Sequence, residues 1–365
     1  MDSALQLIID RVQAAAASGT PLRIRGGGSK DFYGQTLQGE VLDVTPLVGI
    51  TSYEPTELVV TVRAGTPLAE LEALLAERGQ CLPFEPPRFG PGATVGGMVA
   101  AGLSGPARAS VGAVRDYVLG VTLLNGKGEL LTFGGQVMKN VAGYDVSRLM
   151  AGAMGTLGLL TELSLKVLPV APAEATLKFG MGQSEALAKL NRWGGQPLPL
   201  NASCWVDDAG APTLYLRLRG AIAAVEAACK TLGGERQDQA AAAPDWTLCR
   251  DQQLPWFLER GERDLWRLSV PQTAPVLDLP EPPLVEWHGA QRWVRAAAGE
   301  AQRLRHAAAA VGGTATLFVA DSARAERTEG RFDPLKPPLD RIHRQLKKEF
   351  DPAGIFNRGR LYPDF

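Results

Sequence analysis

The spacing of hydrophobic and polar positions changes once along this chain, near the proline-rich stretch Pro169 to Pro172. Before it, runs of alternating or β-branched residues predict strands, among them Leu58 to Arg63 and Leu159 to Leu168. The runs Val118 to Leu124 and Glu129 to Phe133 flank an Asn-Gly turn, which is typical of a β-hairpin. The first part of the chain is therefore predicted to combine strands with short helical pieces.

Helical spacing occurs at two places in the same region. From Met1 to Gly19, one face of an amphipathic helix is apolar and carries Leu5, Ile8, Ile9 and Val12. Because this stretch lacks a basic start and has charges inside its apolar pattern, it does not read as a signal peptide. A second helix is predicted to begin with Thr66 as N-cap and Pro67 in its first turn, and to end at Gly79.

Beyond residue 172, alanine-rich stretches of helical spacing alternate with short strands. The predicted helices are Glu185 to Trp193, Ile222 to Leu232 and Gly299 to Val311, and the predicted strands include Thr213 to Leu218 and Thr314 to Val319. This pattern is typical of an α+β module with one sheet and helices on one of its faces. The stretches Gln237 to Pro244 and Pro271 to Pro283 are expected to be loops.

Composition narrows the function classes. The 38 basic and 39 acidic residues are intermixed and give a formal net charge of −1, so no overall field attracts nucleic acid or anionic lipid. The scattered Cys81, Cys204, Cys229 and Cys249 disfavour a disulfide framework or an iron–sulfur site and agree with a cytoplasmic location. No apolar run has the length of a membrane span, so any association with the inner membrane is expected to depend on partner proteins.

Three glycine-rich segments carry the candidate chemistry. In Arg25-Gly26-Gly27-Gly28-Ser29, consecutive glycines can turn backbone N–H groups inward and form a nest for a phosphate. The second segment, Gly90 to Gly102, predicts a helix whose N-terminal amides would face negative charge, although tight packing of that helix on a sheet is an alternative. The third, Met154 to Thr161, places two glycines directly before a strand. None matches the G-x-G-x-x-G dinucleotide fingerprint or a Walker lysine motif.

In this order, the segments resemble the PCMH-type FAD-binding domain of the vanillyl-alcohol-oxidase group. The resemblance implies that the pyrophosphate of FAD sits on the first turn and that Thr94 to Gly97 lies against the flavin. It further implies that Gly155 to Thr161 closes on the adenosine side. The cofactor-binding residues expected in these segments are Arg25, Gly26, Gly27, Gly28, Ser29, Pro91, Thr94, Gly96, Gly97, Gly102, Asp116, Gly155, Gly158 and Leu160.

Two further segments resemble the FAD-binding subunits of bacterial glycolate oxidases: Val137 to Asp145 and the ending Phe350 to Pro363. In related oxidases an Asn-Pro-Gly-Lys segment returns to the flavin domain. Here Asn357 is kept, Arg358 replaces the proline and Arg360 stands for the lysine. Asn357 and Arg360 are therefore expected at the cofactor, and a plain helix end with a solvated charge is the alternative.

The resemblance implies an α+β protein with three parts. Residues 1–172 are expected to form a two-subdomain PCMH-type FAD-binding domain, residues 173–330 a smaller α+β cap domain, and residues 331–365 a C-terminal segment that packs back on the first domain. Since no histidine precedes His288, histidyl attachment of flavin in the first domain is impossible. A cysteinyl link through Cys81 is the alternative, but the place of Cys81 before the second glycine segment gives it no support, and FAD is expected to bind non-covalently.

The substrate site is less marked than the flavin site. Related D-2-hydroxy-acid dehydrogenases resemble one another in a histidine-rich metal motif and a Glu-His-Gly motif. Neither is present, and Glu286-Trp287-His288-Gly289 is only a loose match, so no metal is expected. The catalytic residues remain unassigned: Arg217, Arg219 and Arg295 can clamp a carboxylate, or they can form surface salt bridges.

By this resemblance, the chain is expected to be the FAD-binding subunit of a complex that oxidises glycolate to glyoxylate. Its expected partners are a larger FAD-bearing catalytic subunit and an iron–sulfur subunit that carries electrons toward quinone. Two alternatives stay open: an autonomous FAD-dependent dehydrogenase of a small 2-hydroxy acid or alcohol, and a structural subunit whose flavin pocket has degenerated.

Overall fold

The computed structural model of the protein describes residues 2–135, 144–208, 210–321 and 330–363. The sequence motif at Val137 to Asp145 therefore lies, apart from its last two residues, outside the described residues. Within the described ranges, no helix combines the length and the apolar character that a membrane crossing needs.

Helices and strands are mixed along the chain, and the strands are antiparallel except for the parallel pair β1–β2. The helices are α1 (Ser3–Ser18), α2 (Leu68–Glu77), α3 (Val95–Ala101), α4 (Arg108–Val111), α5 (Val146–Met150), α6 (Gln183–Gly194), α7 (Ile222–Leu232), α8 (Gln239–Arg250), α9 (Pro255–Leu258), α10 (Ala301–Ala309) and α11 (Leu339–Phe350). The strands are β1 (Leu22–Arg25), β2 (Glu40–Asp43), β3 (Ile50–Glu54), β4 (Val59–Arg63), β5 (Gln80–Cys81), β6 (Val118–Leu124), β7 (Leu130–Gly134), β8 (Leu159–Lys166), β9 (Leu168–Pro169), β10 (Ala173–Gly180), β11 (Leu200–Asp208), β12 (Ala211–Gly220), β13 (Glu235–Arg236), β14 (Asp264–Ser269), β15 (Leu284–Glu286), β16 (Gln291–Ala296) and β17 (Thr314–Val319). The predicted hairpin is β6–β7, and the predicted bounds of α7 and β17 are those observed.

The chain divides into two compact units. The first unit comprises residues 1–103, 113–169 and 334–365, and the second comprises residues 104–112 and 170–333. The short helix α4 thus belongs to the second unit, although the sequence-based boundaries place it in the first domain.

A five-stranded antiparallel sheet of order β3-β4-β8-β6-β7 holds the main core of the first unit. The apolar stripe of α2 packs on it through the fully buried Leu68, Leu71 and Leu75. Helix α3 adds Val95 and Met98 to the same core. Both helices are therefore held by the apolar faces that their sequences present, since burial of apolar surface is the main favourable term in folding.

A second core of the first unit lies under α1. The apolar face predicted for this helix is confirmed, because Ile8, Ile9 and Val12 are buried against the parallel pair β1–β2. The C-terminal tail joins this core, and Phe356 pairs with Leu22 of β1 in a parallel bridge. The first residue of β1 is therefore held both by α1 and by the C-terminal tail.

The start of α2 differs from the prediction in one detail. The helix begins at Leu68 with Pro67 at the cap position, and Thr66 is not its N-cap. The Thr66 hydroxyl instead accepts a hydrogen bond from the backbone N–H of Gly49 (3.0 Å). A tertiary partner therefore replaced the local capping bond that the sequence suggested.

The second unit is built on an eight-stranded antiparallel sheet of order β13-β10-β12-β11-β15-β16-β14-β17. The expectation that Gln237 to Pro244 is a loop is wrong, because α8 begins at Gln239. Asp238 caps it by accepting from the backbone N–H of Ala241 (3.1 Å). Pro244 lies inside the helix, so the proline misled the sequence-based boundary.

The helices of this unit cover both faces of the sheet, and the expectation of helices on a single face is also wrong. Leu177 and Leu216 pack in one core with α6 and α7. On the opposite face, Thr176 accepts a hydrogen bond from the indole N–H of Trp246 in α8 (2.9 Å). Successive strand residues point to opposite faces, so neighbouring positions of β10 serve two different layers.

Candidate functional site

The three glycine segments and the C-terminal tail meet at one cleft of the first unit. The predicted residues that line it are Arg25, Gly26, Gly27, Gly28, Ser29, Thr94, Gly96, Gly97, Gly155, Gly158, Leu160, Asn357 and Arg360. Pro91, Gly102 and Asp116 do not line it. Segments that are distant along the chain thus form a single concave surface.

The turn after β1 offers unused hydrogen-bond donors. The backbone N–H groups of Gly26, Gly27, Gly28 and Ser29 donate to no acceptor in the described part of the chain. Gly28 adopts a positive φ of 73°, which a glycine reaches without steric cost. Consecutive amides in such a turn form an anion-binding nest, as the sequence suggested for this segment.

The turn packs against the second glycine segment through bare backbone. A Cβ atom at Gly27 would overlap the carbonyl oxygen of Gly92. A Cβ atom at Gly26 would lie 2.5 Å from the Thr94 hydroxyl oxygen. Both positions therefore require glycine, because any side chain would push the two loops apart.

Charged side chains frame this turn. The Arg25 guanidinium folds back over Gly28 and forms an ion pair with Asp31 (2.8 Å). The Lys30 ammonium donates to the Ser29 hydroxyl (3.2 Å). Two cations and one carboxylate thus lie at the nest, which leaves a net positive charge beside the free amides.

The first turn of α3 does not offer its amides to an anion, which corrects the sequence-based expectation for this segment. The N–H of Val95 donates to Thr66 O (3.0 Å) and that of Gly96 to Ala64 O (2.7 Å). The Gly97 N–H donates to the Thr94 hydroxyl, which caps the helix (3.2 Å). A Cβ atom at Gly96 would lie 2.7 Å from that of Ala64, so the alternative of tight packing describes this glycine better.

The three predicted residues outside the lining support neighbouring segments. Gly102 ends α3 in a left-handed conformation (φ 66°), and a Cβ there would lie 2.7 Å from Gly152 Cα. The Asp116 carboxylate accepts from the backbone N–H of Ala113 (2.8 Å). Pro91 is exposed in the loop that contacts Gly27.

Asn357 connects two walls of the cleft to the tail. Its side-chain oxygen accepts from the N–H of Ile24 at the end of β1 (2.8 Å). Its side-chain nitrogen donates to the carbonyl of Met154, the first residue of the third glycine segment (2.6 Å). Asn357 is buried, with 8% of its surface exposed, so its amide fixes the spacing of these segments.

Arg360 lines the cleft, but its guanidinium donates hydrogen bonds to backbone carbonyl groups. Its guanidinium donates to the carbonyls of Asp31 (3.0 Å), Lys30 (3.3 Å) and Gln35. Only 6% of the residue is exposed. This cation therefore holds the segment that follows the nest, and the alternative of a solvated charge does not describe it.

A buried ion pair behind the cleft was not found from the sequence. The Lys347 ammonium donates to the Asp351 carboxylate (2.7 Å) and to the carbonyls of Thr156 and Phe356 (2.8 Å each). Asp351 also accepts from the N–H groups of Ile355 and Phe356. Burial is the main cause that lowers the pKa of Lys347. Lys347 and Asp351 are four residues apart in a charged segment, which is the spacing of ordinary solvent-exposed ion pairs on helices. The sequence pattern therefore did not indicate that this pair is buried.

Several lining residues were also missed: Ile24, Lys30, Asp31, Leu37, Val44, Ala64, Ala100, Ala101 and Met154. Ala100 and Ala101 lie in the same run of small residues as the predicted Gly96 and Gly97, and that run was the available signal for them. Met154 has a positive φ of 50°, which is uncommon for a residue with a side chain. No sequence pattern indicated this conformation.

Glu286 and His288, the two polar residues of the loose Glu-Trp-His-Gly match, contact different groups and do not form one site. The Glu286 carboxylate is buried and accepts from Trp293 (2.5 Å), Gln291 (3.0 Å) and Cys249 (3.3 Å). The His288 ring lies between the hydroxyls of Ser203 (3.1 Å) and Ser110 (2.9 Å). Burial lowers the pKa of His288 to about 4, so the ring is neutral at pH 7.

The three arginines proposed as substrate clamps have partners within the second unit. Arg219 pairs with Glu174, and Arg295 lies 3.5 Å from Glu281. Arg217 is 2% exposed and donates to Asn201 (2.7 Å). Surface salt bridges were the alternative considered for these residues, and the burial of Arg217 excludes it for that position. Among the described residues, no three His, Cys, Asp or Glu side chains come together in a way that suits a metal ion.

The cleft fits the diphosphate of a dinucleotide. Four free amides and flanking cations suit a group with two negative charges. The glycine contacts leave the backbone of the two loops uncovered, so a flat ligand can approach it closely. When FAD is bound, Arg25 to Ser29 would hold its diphosphate, while Ala64, Gly96 and Leu160 would supply apolar and small surface.

Comparison with known proteins identifies relatives of this chain. The family model FAD_binding_4, an FAD binding domain, matches residues 5–134. The glycolate oxidase subunit GlcE of Escherichia coli (strain K12) is 46% identical over 359 residues, which cover 98% of this chain and 97% of that protein. The glycolate oxidase subunit GlcD of Bacillus subtilis (strain 168) is 31% identical over 159 residues, or 43% of this chain and 34% of the relative.

Two further similarities extend the comparison. A mitochondrial D-lactate dehydrogenase [cytochrome] of Arabidopsis thaliana is 33% identical over 144 residues, which cover 39% of this chain and 25% of that protein. The solved structure of an alkyldihydroxyacetonephosphate synthase matches with a TM-score of 0.66 at 14% identity, covering 96% of this chain and 74% of that one. This structural match, together with the mixed helices and sheets, confirms the predicted fold class.

Proposed function

Since the chain belongs to the family of the glycolate oxidase subunit GlcE, among the PCMH-type FAD-linked oxidases, we propose that it is the FAD-binding subunit of a complex that oxidises glycolate to glyoxylate. The observation that carries the proposal is the run of four free amides at Gly26 to Ser29, inside a cleft built from backbone. Bound FAD would supply the two-electron acceptor, and the residues of this chain would hold and orient it.

We propose that FAD is held without a covalent bond. The first histidine of the chain is His288, and the described residues that line the cleft include neither histidine nor cysteine. Affinity would then come from the amide nest, the nearby cations and the clamp of Asn357. The partition into an FAD-binding domain and a cap domain, with the boundaries at 172 and 330, is part of the same proposal.

The proposed partners are a larger FAD-bearing catalytic subunit and an iron–sulfur subunit that passes electrons toward quinone. The Escherichia coli relative is a glycolate oxidase subunit, which supports membership in a complex. The partners of Arg217, Arg219 and Arg295 within the second unit also support a substrate site on another chain. Partner subunits, and not this chain, would carry any attachment to the inner membrane.

The proposal can be tested with the full chain, first alone and then with its partner subunits. We expect a yellow protein whose flavin is released into the supernatant by acid precipitation, which identifies non-covalent FAD. Anaerobic glycolate or D-lactate should leave the spectrum of the isolated chain unchanged, and glycolate should bleach the reconstituted complex.

Each other outcome assigns a different function. Bleaching of the isolated chain by either acid would show an autonomous dehydrogenase, a reading that the D-lactate dehydrogenase similarity favours. A colourless chain that cannot be loaded with FAD but still assembles would show a structural subunit. Flavin that stays with the precipitated protein would contradict non-covalent binding.

A further inference from the structure

A large cavity lies within the second unit, apart from the glycine-lined cleft. It has a volume of about 730 Å³, which is within the range typical of small-molecule sites. It opens between α8–α9 and the sheet face opposite α6 and α7, and its lining includes residues of β11, β12 and β15. Nothing in the proposed FAD function uses this space.

Aromatic and apolar side chains form the walls of the cavity. They include Tyr215 of β12, Trp246 of α8 and Trp256 of α9. Leu284 and the buried Cys204 lie on the sheet side. Such walls favour a ligand with a flat or aliphatic body. Each of the three rings already has a cation of the protein near it: Lys178 lies 5.8 Å from the ring centre of Tyr215, Arg217 lies 4.8 Å from that of Trp246, and Arg295 lies 4.7 Å from that of Trp256.

Carboxylates dominate the charge at the same cavity. Asp207, Asp245 and Glu259 line it and are exposed. The carboxylates of Asp207 and Asp245 have no ion-pair or hydrogen-bond partner among the described residues. Their charges are therefore available to a ligand at the mouth.

The one lining cation is already engaged. The Arg295 guanidinium stacks on the Trp256 ring, 4.7 Å from its centre. It also lies 3.5 Å from the Glu281 carboxylate, which lies outside the lining. Arg295 thus acts as part of the wall, and the unpaired carboxylates leave the cavity negative.

We propose that this cavity binds an organic cation: an ammonium group attached to an aromatic or aliphatic body. The body would lie against Tyr215, Trp246 and Trp256, and the ammonium would face Asp207 and Asp245. The apolar walls suit the body of such a ligand, and the exposed carboxylates suit its ammonium group. This site is independent of the FAD cleft, so its test does not depend on the proposed oxidation.

The head-group preference can be measured with three ligands that share one body: 4-phenylbutylamine, 4-phenylbutanol and 4-phenylbutyrate. Titration calorimetry on the full, FAD-loaded chain at low salt would give their dissociation constants. We expect the amine to bind at least about tenfold more tightly than the acid, with the alcohol between them. Added salt should weaken the amine most, because the carboxylates are exposed.

Variants locate the binding. The double substitution Asp207→Asn and Asp245→Asn removes both charges with little change in shape, and it should weaken amine binding about tenfold. Ala241→Trp places a large ring at an exposed lining position, and it should abolish binding. Asp278→Asn changes an exposed carboxylate outside the lining, and it should have no effect. Thermal unfolding of each variant checks that it is folded.

Three results would overturn the inference. The first is that none of the ligands binds, and the second is that the acid binds as tightly as the amine. The third is amine binding that survives Ala241→Trp or the double substitution unchanged. Loss of FAD from the preparation would leave the amine affinity unaltered, which separates failure at this cavity from failure of the proposed function.

Discussion

Gly27 shows how a single residue controls the cleft. Its Cα faces the carbonyl of Gly92 with no room for a side chain. We expect Gly27→Ala to separate the two loops and to weaken FAD binding by more than about tenfold, because the nest amides would move with the loop. Flavin fluorescence titration of the apoprotein measures the affinity.

Gly194→Ala is the matched control for this substitution. Gly194 ends α6, has a negative φ and has open space around its Cα. It should leave FAD affinity unchanged. Equal affinity of Gly27→Ala and the parent protein would show that FAD does not rest on this turn.

His288 gives the protein a predictable dependence on pH. Its pKa is lowered to about 4 by burial, against about 6.5 in an unfolded chain. The unfolded state therefore binds the proton first, so this contribution to stability is complete above about pH 6.5 and is lost as the pH falls toward 4.

The His288→Gln variant tests this dependence. We expect the free energy of unfolding of the parent protein to fall more steeply between pH 6.5 and 4 than that of the variant, by a few kcal/mol in total. Urea unfolding at several pH values measures both slopes. Parallel slopes would mean that His288 is accessible to protons in the folded state.

At the scale of elements, α11 is a charged helix that combines a buried polar contact set with partial apolar packing of Leu346 and Phe350 on the main core of the first unit. Only Lys347 of this helix is buried, and its three bonds reach the tail and the third glycine segment. Lys347 therefore links the helix to the tail and to the third glycine segment, which forms one wall of the cleft.

Lys347→Met tests this role. The variant leaves the buried Asp351 without its cation, and breaking one partner of a buried pair costs about 3–5 kcal/mol. Denaturant unfolding should show a loss of this size, together with weaker FAD binding. Lys348→Met, at the exposed neighbouring position, should change neither value by more than about 0.5 kcal/mol. Similar stability of the two variants would exclude the proposed anchor.

The C-terminal tail shows what the motif could not specify about Asn357 and Arg360. Both line the cleft, and their contact with the cofactor stays a prediction. Their polar atoms bind backbone groups at Ile24, Met154 and residues 30–35, so the structure gives them an organising role that a motif cannot display.

At the scale of the whole molecule, FAD should stabilise the two units unequally. Ligand at a hundred times its dissociation constant stabilises the folded state by about 2.7 kcal/mol. We expect hydrogen exchange to slow on FAD addition at Arg25 to Ser29 and at Met154 to Leu160, while α7 in the second unit changes little. Uniform slowing across both units would show that they unfold together and would contradict the proposed domain division.

The sequence by itself determined the local features of this protein. The left-handed conformation of Gly28 and the apolar stripes of α1 and α2 depend on residue type and short spacing, which are visible in any sequence. For the same reason the hairpin β6–β7 and the strand β17 were predicted at or near their observed bounds. The order of the glycine segments carried the family resemblance, and that resemblance indicated the fold and FAD.

Only the tertiary structure decided which groups remain available for binding. The amides of α3 and the hydroxyl of Thr66 met acceptors or donors from other segments, while those of Gly26 to Ser29 did not. Asn357 meets Ile24 across 333 positions of the sequence, and Lys347 is buried by residues of several segments. Such partners are set by the packing of elements that are distant in the sequence, and the pattern of residues along the chain does not specify that packing.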